Sequence, residues 1–280
     1  MTAQSPVAAG DRTIDGPAPA LLRAALDAAS EAVVLCGAAD DTVLLVNPAA
    51  AALVPGLAAG VPAGAGPLTG LAAAVASSAD TFTDEYRGRH LAGQRRALGA
   101  DHYGWYLRDR TEEVNRAAAL TAERSRTAFL AESGRRLSAS LHQGRCLRIT
   151  AELAVGHLAD AAVVVLPADR RQHGWVRLVA DGRPEEGRMR ETMLGEVPGL
   201  AEALGGFPPI PSRWLDASQA PGWLLPDSFG PIGALLVTPL PGNAEPAGAL
   251  ILARRGEQAE FSADDEILAR IFAARAGAAI

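Results

Sequence analysis

A chain of 280 residues is long enough for two domains, and at 49% hydrophobic it can give each a core of its own. Only 5% is aromatic, so Ala, Val and Leu must fill most of those cores. All 26 basic residues are Arg, and against 32 acidic residues they leave a net charge of −6, which gives no general reason to expect a nucleic acid partner.

Residues 1–19 are rich in Pro, Gly, Ala and Asp, and the composition predicts a disordered N-terminus. The segment has no basic stretch followed by an apolar one, so no signal peptide is expected. Thr42 to Ala79 carries no charge, but Pro48, Pro55, Pro62 and Pro67 interrupt it and Ala dominates it, which excludes a membrane span. Cys36 and Cys146 form no spaced motif, and a reducing cytoplasm with two buried thiols fits them best.

The first domain is expected over residues 20–110. Ala20 to Ser30 places Leu22 and Leu26 at helical spacing. Ala32 to Cys36 and Thr42 to Val46 are apolar runs of strand length around the turn residues Gly37 to Asp41, which predicts a hairpin. Asn47-Pro48 stops the second strand and Ala49 to Leu53 starts a helix. Asp84, Glu85, Arg87, Arg89, Arg95 and Arg96 are expected to be hairpin charges facing solvent. Gly104 to Leu107 is aromatic and apolar, suited to a half-buried strand.

This order resembles a PAS domain: strand, Asp-containing turn, strand, Asn-led helix, and a closing strand running into Arg108-Asp109-Arg110-Thr111-Glu112. PAS domains often hold haem, flavin or a small acid. The photoactive flavin type needs a Cys just after the Asn-bearing segment, and Ala49 to Leu53 has none. His90 and His102 sit among charged and polar residues and are expected at the surface. The expectation is no cofactor.

Thr111 to Leu141 contains no Pro and one Gly, Gly134, and predicts a helix of about 46 Å at 1.5 Å per residue. Asp109 with Glu112 three residues on is expected to form a capping box. A helix so long should connect two domains, with residues 111–128 as the connector. Arg outnumbers acidic residues here, either as a solvated face or for docking an acidic partner. A heptad seam through Leu120, Thr127, Gly134 and Leu141, with Arg116, Glu123, Leu130 and Leu137, is weak at first and better from Leu130.

The second domain is expected over residues 129–280. After a break at His142-Gln143-Gly144, Cys146 to Leu158 is an amphipathic helix. Ala161 to Leu166 and His173 to Val179 are a strand pair. Glu185 to Leu204 is expected to be helical, broken near Gly195 and Pro198, and Pro208 to Phe229 irregular. Gly233 to Thr238 and Ala247 to Ala253 make a second hairpin. Ser262 caps a last helix to Ile280, with Ile267, Leu268, Ile271 and Phe272 facing inward.

This order, and above all Val237-Thr-Pro-Leu240, Gly248 to Ala253 and Phe261 to Leu268, resembles a GAF domain. The resemblance implies a pocket lined by Val163, Val165, Trp175, Trp214, Trp223 and Leu236, where the tryptophans are core anchors or ligand contacts. The bilin-binding type would need a Cys, and Leu166 to Phe229 has none.

The linking segment Phe129 to Leu141 followed by Ile149 to Asp160 resembles actinobacterial proteins that place PAS and GAF modules ahead of a PPM-type (SpoIIE-like) serine/threonine phosphatase. In these the upstream modules control dephosphorylation of anti-sigma-factor antagonists. The phosphatase needs several Asp residues holding two metals, and the chain reaches Ile280 before any such segment.

No catalytic residues and no metal site are expected. His142, His157 and His173 are irregularly spaced, and Asp264-Asp265-Glu266 is explained by the helix dipole. The fold expected is α+β, two antiparallel sheets flanked by helices and joined by a long helix. The function expected is a cytoplasmic, non-catalytic sensory module, homodimeric through its connecting helix and domain faces. It would have an output domain or partner protein and room for a small-molecule ligand, but no membrane. Arg108, Asp109, Thr111 and Glu112 would form its signal-relay joint. The alternatives are an input module for a histidine kinase and a stand-alone interaction protein without a ligand.

Overall fold

The computed structural model describes residues 18–180, 182–243, 245–256 and 260–280. The expected disorder of residues 1–17 lies outside them, while Ala18 and Pro19 already belong to a helix. The chain divides into two compact units, Met1–Thr121 and Ala122–Ile280. Each holds a five-stranded antiparallel sheet with helices, so the α+β class expected is the one observed. Among the described residues no helix is long and apolar enough to cross a membrane.

The first unit runs α1 (Ala18–Asp27), β1 (Ala32–Gly37), β2 (Val43–Val46), α2 (Pro48–Leu53), a 3-10 turn, α3 (Thr69–Ser77), β3 (Thr81–Tyr86), β4 (Arg89–Ala97) and β5 (His102–Asp109). The sheet order is β2-β1-β5-β4-β3. The β1–β2 hairpin closes as expected on Asp40 and Asp41: the Asp40 carboxylate accepts the Thr42 N–H at 3.1 Å, and Asp41 takes a left-handed φ of 55°.

Asn47 is wholly buried and uses its whole amide. Its Oδ1 accepts the N–H of Val33 and of Ala50, both at 2.9 Å, and its Nδ2 donates to the carbonyls of Leu26 (3.1 Å) and Glu31 (2.8 Å). One side chain thus caps α2 and pins it to the start of β1 and the end of α1. Trp105 is the centre of the core, edge-on to Phe82 at 5.3 Å and to Tyr103 at 6.4 Å. Phe82 lies directly across from Gly93 in the β3–β4 pair, where a Cβ would run into its ring.

α4 (Thr111–Ser138) follows β5 after one residue, and the division between the units falls within it. It ends three residues short of Leu141, which is fully exposed beyond it. Phe129, Ser133 and Leu137 are its buried face, Leu130 packs partly against the same core, and Leu120 stays exposed.

The second unit continues with α5 (Gln143–His157), β6 (Ala161–Asp169), β7 (Gln172–Val179), β8 (Glu185–Arg190), a 3-10 turn at Glu191–Glu196, α6 (Leu200–Leu204), three more 3-10 turns, β9 (Ile232–Leu240), β10 (Gly248–Arg255) and α7 (Ala263–Ala279). The sheet order is β8-β7-β6-β10-β9. Both faces are covered. Val164, Val176, Leu236, Leu250 and Leu252 meet Phe129, Leu153 and Phe272 from the helices on one side. Val163, Val165, Leu235, Val237 and Ile251 meet Leu200, Leu224 and Phe229 on the other. Burial on both sides is why residues 161–166 of β6 and 248–253 of β10 are unbroken apolar runs.

Three expectations fail here. Glu185 to Leu204 is α-helical only at its end, Leu200–Leu204: its first six residues are an edge strand paired to β7, with Gly187 opposite Trp175 where a Cβ would meet the indole. In α7 the inward residues are Ala269, Phe272, Ala273 and Ala276, while Ile267 and Ile271 are 49% and 42% exposed. The small side chains let the helix lie close to the sheet, which turns the isoleucines outward. The break after α4 precedes Gln143, which already belongs to α5.

Candidate functional site

Of the four residues expected at the joint between β5 and α4, Asp109 and Thr111 bond each other, though not in a capping box, while Arg108 and Glu112 take other partners. The Asp109 Oδ1 accepts both the Thr111 N–H at 2.9 Å and the Thr111 hydroxyl at 2.5 Å. Those two bonds, led by the hydroxyl, hold the Asp109 carboxyl below its ordinary range, with Arg89 and the His90 side adding to them. Glu112 does not reach back. It pairs with Arg116 one turn on, at 2.6 Å.

Thr111 Oγ in turn accepts the His90 N–H at 2.8 Å, and the Arg110 N–H donates to the His90 carbonyl at 2.7 Å. The first turn of α4 is therefore tied to β4 as well as to β5. Arg108 pairs with Glu31 at 3.0 Å, in front of β1. Glu31 and His90 are the members the sequence did not disclose. The Ala32–Leu107 pairing puts Glu31 across from Arg108, and a lone acid just before an apolar strand was the available signal.

An open depression of about 690 Å³ lies on the outer face of this sheet beside the joint, lined by Thr83, Gln94, Arg96, Tyr106, Arg108 and Arg110 among others. Its three arginines are matched in number by Glu31, Asp109 and Glu113, of which Glu31 pairs with Arg108 and Glu113 with Arg110. On the inner face, burial pushes the Cys36 thiol up to about 11, with the neighbouring Tyr103 hydroxyl offsetting only part of that. The Tyr103 hydroxyl donates to Asp41 at 2.5 Å, and burial together with that carboxylate raises its own pKa. Both cysteines are buried free thiols. His90 is half-buried and His102 exposed.

In the second unit four of the six expected pocket residues share a face. Val163 and Val165 are buried in it, and Trp175 and Trp223 pack partly against it. Trp223 is held by its indole N–H, which donates to Glu196 at 2.7 Å. Leu236 is a correction: it lies on the helical face, one residue out of phase with Val237, because neighbours on a strand point to opposite sides. Trp214 is a second correction, 69% exposed with Arg213 over its ring. The shared face is filled by Met189, Val197, Leu200, Leu224, Leu225 and Phe229.

His157 stacks on Phe129 at 4.6 Å, and the His173 Nδ1–H donates to the Leu166 carbonyl at 2.8 Å. Among the described residues no group of three or more His, Cys, Asp or Glu is placed to hold a metal ion. The Asp264-Asp265-Glu266 run does helix work: Ser262 and Asp265 form a reciprocal capping box, and Asp264 pairs with Arg126 at 2.7 Å.

No family model matches the chain, and no curated protein matches it. Among solved structures it is similar to the GAF domain of a phosphoenolpyruvate-protein phosphotransferase from Acinetobacter, at 12% identity and a TM-score of 0.42, covering 55% of this chain and 90% of that one. It is similar to the second GAF domain of DevS from Mycobacterium smegmatis, at 22% identity and a TM-score of 0.38, covering 49% of this chain and 91% of that one. It is also similar to the chromophore-binding domain of a bacteriophytochrome from R. palustris, at 13% identity and a TM-score of 0.38, covering 87% and 92%. Likeness of this degree carries nothing about ligand or activity.

Proposed function

We propose that the chain is a non-catalytic sensory and regulatory module. A PAS-like unit, residues 20–110, acts through a connecting helix, residues 111–128, on a GAF-like unit, residues 129–280. Paired copies control an output domain, a PPM-type serine/threonine phosphatase of anti-sigma-factor antagonist signalling. The observation that carries this reading is α4. Its first residue is fastened by the carboxylate of Asp109 and the backbone of β4, and its later turns supply Phe129 and Leu137 to a core.

A change in the first sheet that moves Asp109 or His90 therefore acts on the start of α4 before anything else. The closing strand that ends in Arg108 to Glu112, and the Asn47-led helix, support the PAS-like part. The capped α7 and the paired strands before it support the GAF-like part.

Thr111→Val keeps the shape and removes both side-chain bonds, at an expected cost of about 1 kcal/mol. Amide exchange should then quicken in the first turns of α4 and spread along it, while β1 and β2 keep their protection. Light scattering of the chain should give a dimer. Faster exchange confined to residues 109–113, or a monomer at all concentrations, would sink the relay. With the chain fused ahead of a PPM-type domain, a hydrolysis rate indifferent to both the chain and Thr111→Val would sink the output assignment.

A further inference from the structure

A second cavity, of about 300 Å³, sits in the second unit where β7 and β10 end and the chain approaches β9. Arg177, Arg183 and Arg255 line it with Glu185 and Ser228. Among the described residues, three guanidinium groups and one carboxylate line it, an excess of positive charge in a chain whose net charge is −6. The larger depression of the first unit has as many acids as arginines and no such excess.

The arginines differ in what holds them. Arg177 is a fixed wall: Nε and Nη2 bind Glu185 at 2.8 and 2.6 Å, and Nη1 binds the carbonyls of Trp223 (3.0 Å) and Leu224 (3.3 Å). Arg255 has its backbone fastened by Asp160 at 3.0 Å and its guanidinium over the Phe229 ring at 5.3 Å. Among the described residues neither the Arg255 nor the Arg183 guanidinium has a carboxylate partner, and the Ser228 hydroxyl has no hydrogen bond. One ion pair sets the frame, and two unanswered guanidinium groups and a hydroxyl remain.

We infer that this cavity is an anion site whose ligand carries a phosphate group. A phosphate or phosphomonoester dianion matches two free guanidinium groups in charge, accepts forked donors from both, and leaves an oxygen for the Ser228 hydroxyl. The inference stands on the cavity alone and is independent of the relay through α4.

The test is a titration of the whole chain with inorganic phosphate, with ribose 5-phosphate, and with succinate, at constant ionic strength in chloride. Binding is read by calorimetry and by the melting temperature. Phosphate or the ester should bind, and Arg183→Gln with Arg255→Gln should weaken binding about tenfold or more, about 1.4 kcal/mol. Tighter binding of the ester identifies a phosphorylated small molecule, and equal binding identifies free phosphate.

No binding by either, equal binding by the double variant, or a preference for succinate would overturn the inference. Should the double variant misfold, Arg183→Glu on its exposed loop asks the same question, since it reverses a charge without touching the core. Loss of phosphate binding supports the site, and unchanged binding rejects it.

Discussion

Both units are built on a five-stranded antiparallel sheet, yet the two sheets are covered differently. In the first, the inner face holds Trp105, Leu91 and Leu107, while the other face carries Thr81, Thr83, Gln94, Arg96 and Arg108, each exposed. In the second, helices cover one face and a succession of short turns covers the other, and residues 161–165 of β6, 234–238 of β9 and 248–253 of β10 are all buried. A sheet with one wet face is fastened by its ends and by polar ties such as Asn47. A sheet with two dry faces is fastened by area. The two should therefore answer differently to loss of apolar groups and of hydrogen bonds.

The largest effect is expected from Trp105→Ala, which empties the centre of the first core at a cost of about 3–5 kcal/mol. Amide exchange should rise through β1, β4 and β5, with β6 and β10 unaffected. Equal loss of protection in both sheets would break the comparison. Asn47→Ala comes next. It leaves the Val33 and Ala50 donors and the Leu26 and Glu31 carbonyls without their partner, so about 2–3 kcal/mol is expected in chemical denaturation. A cost below about 0.5 kcal/mol would mean that water replaces the amide.

Glycines facing aromatic rings make the next test. Valine at Gly93 would press on Phe82, itself packed on Trp105, between two neighbouring strands. Valine at Gly187 would press on Trp175 from an edge strand that can move away. Overpacking costs about 1–3 kcal/mol, and Gly93→Val should fall at the upper end and Gly187→Val at the lower. The reverse order would show that the edge of the second sheet is the stiffer place.

The smallest effect is a pH dependence. Burial pushes the Asp265 carboxyl up, but the Ser262 N–H and hydroxyl together with Arg254 outweigh it and leave it below its ordinary 3.8. A depressed carboxylate stabilises the fold fully above its unfolded value, and the contribution is lost as pH falls through the folded value. The stability difference between the parent chain and Asp265→Asn should thus be constant above about pH 5 and shrink below about pH 4. A difference that stays constant as the pH is lowered well below about 4 would contradict the cap.

What could be read from the sequence follows from the same contrast. β6, β9 and β10 were legible because continuous apolar runs of strand length flanked by turns have few other outcomes, and Ser262 announced α7 through its cap. β8 was not legible. Glu-Glu-Gly-Arg-Met-Arg buries one side chain, Met189, and becomes a strand only because β7 offers an edge to pair with.

Leu236 was assigned to the wrong face because both faces of its sheet are apolar, so alternation leaves no trace in the sequence. Ile267 and Ile271 misled for a different reason: close approach favours Ala over Ile at a helix–sheet contact, which a hydrophobicity pattern ranks the other way. In the first unit, Arg108, Asp109 and Thr111 were visible as a motif, but their partners are distant in the chain, Glu31 just before β1 and His90 on β4. The arginines of the anion site lie on three separate segments and share no local pattern.

The passage from β5 to α4 leaves a single residue, Arg110, between strand and helix. With no slack in the chain, strand pairing sets the angular phase of each face of the first turns of α4 relative to the first sheet. One residue inserted at this point would turn those faces by about 100°, and seven would bring them nearly back. Length here is an angular setting, so chains of this design should tolerate insertions after Asp109 in periods and not one residue at a time.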